Sequence, residues 1–231
     1  MTLPHPLNRL APYRKTAWKP ITEMIEAHSA PQADSLSSCP ECQNPMDLFL
    51  HLNSNDLPQE FSKDNPSHFP SHFPSHFSGT LQVFYCTHCD DWEPFSKSNF
   101  VKLIENDKDN HQSENKKPSQ IGNNAIVGWE AMDDYPNSEE LSDLGCELTD
   151  AEEDELHELD YPQTGDKLGG YPFWVQGVEY PHCPECGEAM QLVFQLDSED
   201  NIDYMFGDSG CAHVTQCKNH PHQLALGWAC Y

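Results

Sequence analysis

Cys39-Pro-Glu-Cys42 recurs 144 residues later as Cys183-Pro-Glu-Cys186. The match continues without gaps through Met46 and Met190, Leu48 and Leu192, Leu52 and Leu196, Ser54 and Ser198, and Asp56 and Asp200. Further along, Gly79, Cys86 and Cys89 align with Gly210, Cys217 and His220 at an offset of 131. The first copy is therefore longer between Asp56 and Gly79, where Pro66-Ser-His-Phe is repeated three times up to Phe77. Self-similarity of this kind is the signature of an internal duplication with one expanded loop.

Each copy offers two short strands. Met46–Leu52 and Met190–Leu196 are rich in apolar and aromatic residues, as are Leu81–Cys86 and Ala212–Cys217. Antiparallel pairing within a copy would bring both ligand turns to one end of a hairpin. Two C-x-x-C turns placed there can present four donors tetrahedrally to a metal at about 2.3 Å. The expected sites are Cys39, Cys42, Cys86 and Cys89 in the first copy, and Cys183, Cys186, Cys217 and His220 in the second. His182 and His222 flank the second set and are alternatives to His220. A Cys-to-His exchange at one position favours zinc, which accepts either donor, over a four-cysteine iron site. With four protein ligands each, both sites are expected to be closed and structural. Glutaredoxin-type thiol chemistry is the competing reading of C-P-x-C, but it needs a helix after the motif, and strand-like sequence follows here. Cys146, Cys211 and Cys230 fall outside the pattern and are expected as buried free thiols.

The fold class expected is α+β and β-rich: two zinc-stapled hairpin units joined by short helices. The first unit spans 1–104, a polar linker 105–124, and the second unit 125–231, the two standing apart or intertwining into one domain. Thr149-Asp-Ala-Glu152 reads as a capping box that opens a helix through Leu156 and Leu159. Leu141, Leu144 and Leu148 indicate another helical turn just upstream. His68, His72 and His76 of the Pro-Ser-His-Phe tract would share a face of a helix, but Pro70 and Pro74 exclude a regular one.

The chain of 231 residues has 38 acidic and 12 basic side chains, a formal charge of −26. The imbalance lies mostly after residue 118, where 23 acids face two basic residues. Thirteen of those acids fall between Asp133 and Asp160, which is either a solvated helical surface or a docking surface for a basic ligand. Such a field repels phosphate, so direct nucleic-acid binding is disfavoured and a basic protein partner is attracted. No apolar run approaches the roughly 20 residues that cross a bilayer, and the start lacks a signal-peptide layout, so a cytoplasmic location is expected. In a reduced compartment ten cysteines point to metal rather than disulfides. P-loop, G-x-G-x-x-G and G-x-S-x-G motifs are absent from the sequence. Asp197, Asp200, Asp203 and Asp208 do not follow calcium-loop spacing.

Lys167-Leu-Gly-Gly-Tyr-Pro-Phe-Trp-Val-Gln176, Leu192-Val-Phe-Gln-Leu-Asp-Ser198 and Met205-Phe-Gly-Asp-Ser-Gly210 resemble signature segments of the YwqG-like proteins, a bacterial family of uncharacterised function. Ile126-Val-Gly-Trp-Glu130 and Tyr135-Pro136 resemble its middle region. The Cys39–Cys89 unit is similar to the zinc-bearing half of the eukaryotic programmed-cell-death-2 proteins. The resemblance implies a binding role, because the eukaryotic relatives are chaperones for a basic ribosomal protein and bacterial members have been proposed as immunity or protein-binding factors. The expectation is thus a non-catalytic, zinc-stabilised module for a basic client, chaperone-like or an immunity factor. An enzyme with an unrecognised hydrolytic or thiol-dependent site is the alternative. Gly169, Gly170, Tyr171, Pro172, Trp174, Gln195 and Asp208 are the candidate binding residues. The Gly-Gly pair permits positive φ and close backbone approach. It forms either a turn into a strand at 173–178 or the floor of a peptide groove.

Overall fold

The computed structural model describes residues 9–24, 38–58, 79–105 and 124–231. The Pro-Ser-His-Phe tract and residues 106–123 of the expected linker lie outside them. Nine strands are described: β1 (Lys15–Met24), β2 (Asp47–Asn53), β3 (Gly79–Tyr85), β4 (Asn99–Glu105), β5 (Asn124–Asp134), β6 (Lys167–Gly169), β7 (Gln191–Asp197), β8 (Cys211–Gln216) and β9 (Leu224–Ala229). Two short helices, α1 (Ser138–Asp143) and α2 (Asp150–Glu158), separate β5 from β6. Among the described residues no helix is long and apolar enough to cross a membrane.

Both expected hairpins are present, β2–β3 and β7–β8. They share their irregularities at corresponding positions. Each register slips once, between Leu48 and Leu50 in β2 and between Leu192 and Phe194 in β7. Each ligand turn is closed by an isolated bridge, Ser38 to Pro45 and His182 to Ala189. Ser54 and Gly79 are hydrogen-bonded at the far end of the first hairpin, as are Ser198 and Gly210 in the second. A third strand that sequence patterning did not signal continues each hairpin, β4 beside β3 and β9 beside β8.

The strands form two antiparallel sheets. One has six strands in the order β5-β1-β6-β7-β8-β9, the other three in the order β2-β3-β4. β1 belongs by sequence to the span 1–104, yet it pairs with β5 and β6 in the larger sheet. Phe49, Leu52, Leu81 and Val83 of the small sheet share one core with Trp18, Leu168, Phe194 and Val214 of the large one. β4 lies against β9, and this end of the sandwich is closed. Trp228 donates its backbone N–H to the Trp92 carbonyl and its indole N–H to the Tyr85 hydroxyl. Tyr85 and Tyr204 both donate to the Asp90 carboxylate. At the opposite end the large sheet runs on through β6, β1 and β5 while the small sheet stops at β2.

The acidic helices carry their own small core of Leu10, Tyr135, Leu141 and Leu156. The capping box forms as expected, with Glu152 accepting from the Thr149 N–H and hydroxyl. Nine of the thirteen acids between Asp133 and Asp160 are exposed, but Asp134 and Glu140 are turned inward. The expected strand at 173–178 does not form. Side chains take its backbone donors instead: Phe173 N–H goes to Gln195 Oε1 and Val178 N–H to the Glu139 carboxylate.

Candidate metal centres and the buried polar site

The two C-P-E-C turns fold alike because the same backbone bonds close them. Cys39 N–H donates to Asn44 O and Gln43 N–H to Cys39 O; Cys183 N–H donates to Glu188 O and Gly187 N–H to Cys183 O. The residue after each motif has positive φ, 64° at Gln43 and 72° at Gly187. The first cluster joins Cys39, Cys42, Cys86 and Cys89, and the second joins Cys183, Cys186, Cys217 and His220; within each, the donor atoms lie within 4.8 Å of one another.

The spacings test whether a metal fits. A tetrahedron with metal–sulfur bonds of about 2.3 Å has edges of about 3.8 Å. Cys39 and Cys89 sulfurs are 3.7 Å apart, and those of Cys42 and Cys86 are 3.4 Å apart. In the second cluster Cys186 to Cys217 is 3.7 Å, and His220 Nδ1 is 3.6 Å from Cys183 Sγ and 3.8 Å from Cys217 Sγ. None of the four sulfurs in the first set is paired in a disulfide. Four sulfurs packed at these distances suit a cation at their centre.

Backbone donors prepare the thiolates. The N–H of Asn44 beside Cys42 brings that thiol down to about 6. Burial opposes ionisation of Cys183, but the N–H groups of Cys186 and Glu185 outweigh it, and this thiol too falls to about 6. His220 presents Nδ1 to the cluster while its Nε2 lies 3.6 Å from Glu185 Oε2. Glu185 is anchored in turn by His222 and by Gln223 Nε2 at 2.6 Å. His222 thus holds the carboxylate, and His182 bonds Gly187 O, so neither stands in the cluster. In the first cluster the matching Glu41 instead pairs with Lys97 at 3.2 Å.

The Gly-Gly-Tyr-Pro segment surrounds a different site. Lys167 and Asp134 are both fully buried and form an ion pair at 3.0 Å. Asp134 also accepts the N–H groups of Tyr135, Gln163 and Tyr171. Gly170, at φ +77°, lies so close that a Cβ would fall 2.2 Å from Asp134 Oδ2; Gly169 shares the positive φ at +71°. Tyr171 is 7% exposed, donates its hydroxyl to Tyr13 O at 2.6 Å, and carries the Lys15 ammonium over its ring at 3.6 Å. Pro172 is buried beside it. Trp174 stands edge-on to Tyr180 and His213, and Gln195 is fully buried, bridging Phe173 N–H and Gly165 O. Asp208 is an exposed turn residue whose carbonyl accepts from Tyr231 N–H. The structure therefore brings the first six candidate binding residues around a buried ion pair, and Asp208 elsewhere.

Burial lowers the His213 imidazole to about 3, so it is neutral, and burial raises the Cys211 thiol, 3.7 Å from that ring. Cys211 is buried as expected, whereas Cys146 and Cys230 are only half-buried. Asp134, Lys15, Glu140 and Asp166 were not singled out by sequence reasoning. One signal was available: Lys167 is one of only two basic residues after position 118, and a lone cation in so acidic a span needs a partner.

Residues 23–218 match the family model of a domain of unknown function, DUF1963, and the chain belongs to that family. A 43-residue stretch is 46% identical to the uncharacterized protein YpfL of Salmonella typhimurium, covering 19% of this chain and 10% of that protein.

Proposed function

We propose that this protein is a non-catalytic binding module in which two structural zinc ions pin the hairpins, and that its client is a basic protein. The observation that carries the reading is the closure of both clusters: four protein donors fill a tetrahedron at each, which leaves no coordination position for water or substrate. Thiolate-rich sets with one imidazole favour zinc among biological metals. The matching slips, bridges and turn bonds of the two hairpins support their origin by duplication.

The charge supports the nature of the client. With −26 overall and nine exposed acids on the helical segment, the surface attracts a basic partner and screens it from nucleic acid. Chaperoning such a client and neutralising a basic toxin are the two forms of this role, in a reducing cytoplasm where the thiols stay available to metal. A pull-down from lysate at about 50 mM and about 500 mM salt tests the reading, since charge attraction fades as the Debye length shortens. The expected outcome is a basic protein retained at low salt and lost at high salt, from a preparation holding two zinc ions per chain. Recovery of no basic protein at either salt, or zinc-free protein with unchanged folding, would sink it.

A further inference from the structure

We infer that the open end of the sandwich is a slot for an extended peptide bearing a basic side chain, which adds as a fourth strand to the edge of β2 that has no strand neighbour among the described residues. This deepens the proposed function and rests on it for the nature of the partner. A cavity of about 290 Å³ lies where the small sheet ends. Its walls include six consecutive residues of β2, Leu48–Asn53. Side chains of a strand alternate between faces, so a wall of consecutive residues runs along the backbone edge, not along one face. Among the described residues β2 has a strand neighbour on one side only, β3. An edge of this kind pairs with extended backbone.

The rest of the slot selects side chains. Opposite β2 stand Ile126 and Trp129 of β5, both half-buried, with the buried Phe194 and Leu196 of β7 behind them. Trp129 Nε1 reaches across to Asp56 O at 2.7 Å and ties the two walls together. The charged residues lining the cavity, among those described, are Asp56 and Asp166, with no Lys or Arg. Asp166 is 3% exposed, accepts from Asp197 N–H and Asn201 Nδ2, and among the described residues has no cation bonded to it. A buried carboxyl of this kind is better satisfied by a positive group than by water-free apolar surroundings. Strand addition supplies affinity through main-chain bonds and the two wall chemistries supply selectivity, apolar at alternate positions and basic at one.

The test pans a randomised seven-residue peptide library against the zinc-loaded protein. The expected winners alternate apolar residues with Lys or Arg. A fluorescein-labelled winner should bind with an anisotropy change, and N-methylation of its alternate amides should weaken it at least tenfold. Asp166→Asn should weaken it about tenfold, and Ala125→Trp, which fills the slot from β5 without touching charge, by more. Circular dichroism and zinc content establish that both variants are folded, and either folded variant suffices. Hydrogen exchange of residues 47–53 should slow on binding. Failure to enrich any sequence, winners without a basic residue, equal binding after N-methylation, or full binding to Ala125→Trp would each overturn the slot. So would equal protection of β2 in the free protein, which would mean that the edge is already covered, or a dimer that Ala125→Trp dissociates. If Ala125→Trp still captures the basic lysate protein, the slot is wrong and the proposed function stands. If peptides fill the slot but no basic protein is captured, the slot stands and the client reading fails.

Discussion

Gly170 shows how tightly the Gly-Gly-Tyr-Pro segment is bound to a single buried charge pair. Its backbone is in the left-handed region at φ +77°, and its missing Cβ is what lets the Asp134 carboxylate approach. Gly170→Ala would add backbone strain of about 1–2 kcal/mol and push Asp134 away from Lys167. Leaving a buried charge without its partner typically costs about 3–5 kcal/mol. Urea unfolding should therefore show a loss of at least about 3 kcal/mol, whereas Gly145→Ala, with nothing within 4 Å of the site of its Cβ, should cost only the strain of its positive φ. Asp166 makes a second residue-level prediction. Burial, its largest influence, raises this carboxyl to about 7, while the Asp197 N–H pulls it back. The unfolded value is near 3.9, so the folded protein holds the proton more tightly. The resulting stability is fully present below about pH 4 and is lost as pH rises through about 7. Asp166→Asn removes this dependence. Between pH 5 and pH 8 the melting temperature of the variant should rise relative to wild type, with a ceiling of about 3 kcal/mol from the roughly two pKa units that lie in this window. An unchanged difference would show that Asp166 does not titrate in this range.

At the level of elements, the two ligand turns share their backbone and differ in what supports them. Glu185 faces His220 and is held by His222 and Gln223, while Glu41 at the same place in the first turn faces Lys97. A carboxylate on the far nitrogen of a ligating imidazole fixes its tautomer and raises its basicity, and loss of such a partner typically weakens metal binding about 10–100-fold. Glu185→Gln should therefore release one of two ions earlier in a competition with a chromophoric chelator, and Glu41→Gln should release neither early. Equal release from both variants would show that the imidazole needs no such support. The third strands matter as much. β9 closes its end of the sandwich by giving Trp228 to Trp92 and Tyr85, whereas at the β2 end the tie among the described residues is the single bond from Trp129 to Asp56 O, just beyond the strand.

For the whole molecule, the shared core decides how metal loss is felt. Phe49, Leu52 and Val83 from one hairpin pack in the same cluster as Phe194, Leu196 and Val214 from the other. Structural zinc contributes about 10–16 kcal/mol in small sites, against about 5–15 kcal/mol for the stability of a whole domain. Removing either ion should thus destabilise both sheets together. Cys39→Ser and Cys183→Ser are each expected to lower the melting temperature of the entire protein in one transition, and excess chelator to abolish it. Two separated transitions, with one sheet surviving, would show that the hairpins fold independently.

The two Cys/His clusters, the hairpins that carry them and the capped helix at Thr149 were legible in the sequence. These depend on residues close along the chain: two cysteines on one turn, alternate apolar positions in a strand, an oxygen reaching a backbone N–H three residues on. The sequence also flagged the close backbone approach at Gly169-Gly170, but not what approaches. Long-range packing alone sets Asp134 into that space, takes β1 out of the first half to join β5 and β6, and turns the donors of the 173–178 segment to side chains instead of a sheet. β1 is hard to read because Pro20 interrupts it and its buried positions, Ala17, Trp18 and Pro20, follow no strict alternation. Burial of one charge beside another is set by pairing across more than thirty residues, as between Asp134 and Lys167. The slot beside β2 depends on the unequal widths of two sheets, a quantity that no local pattern of residues contains.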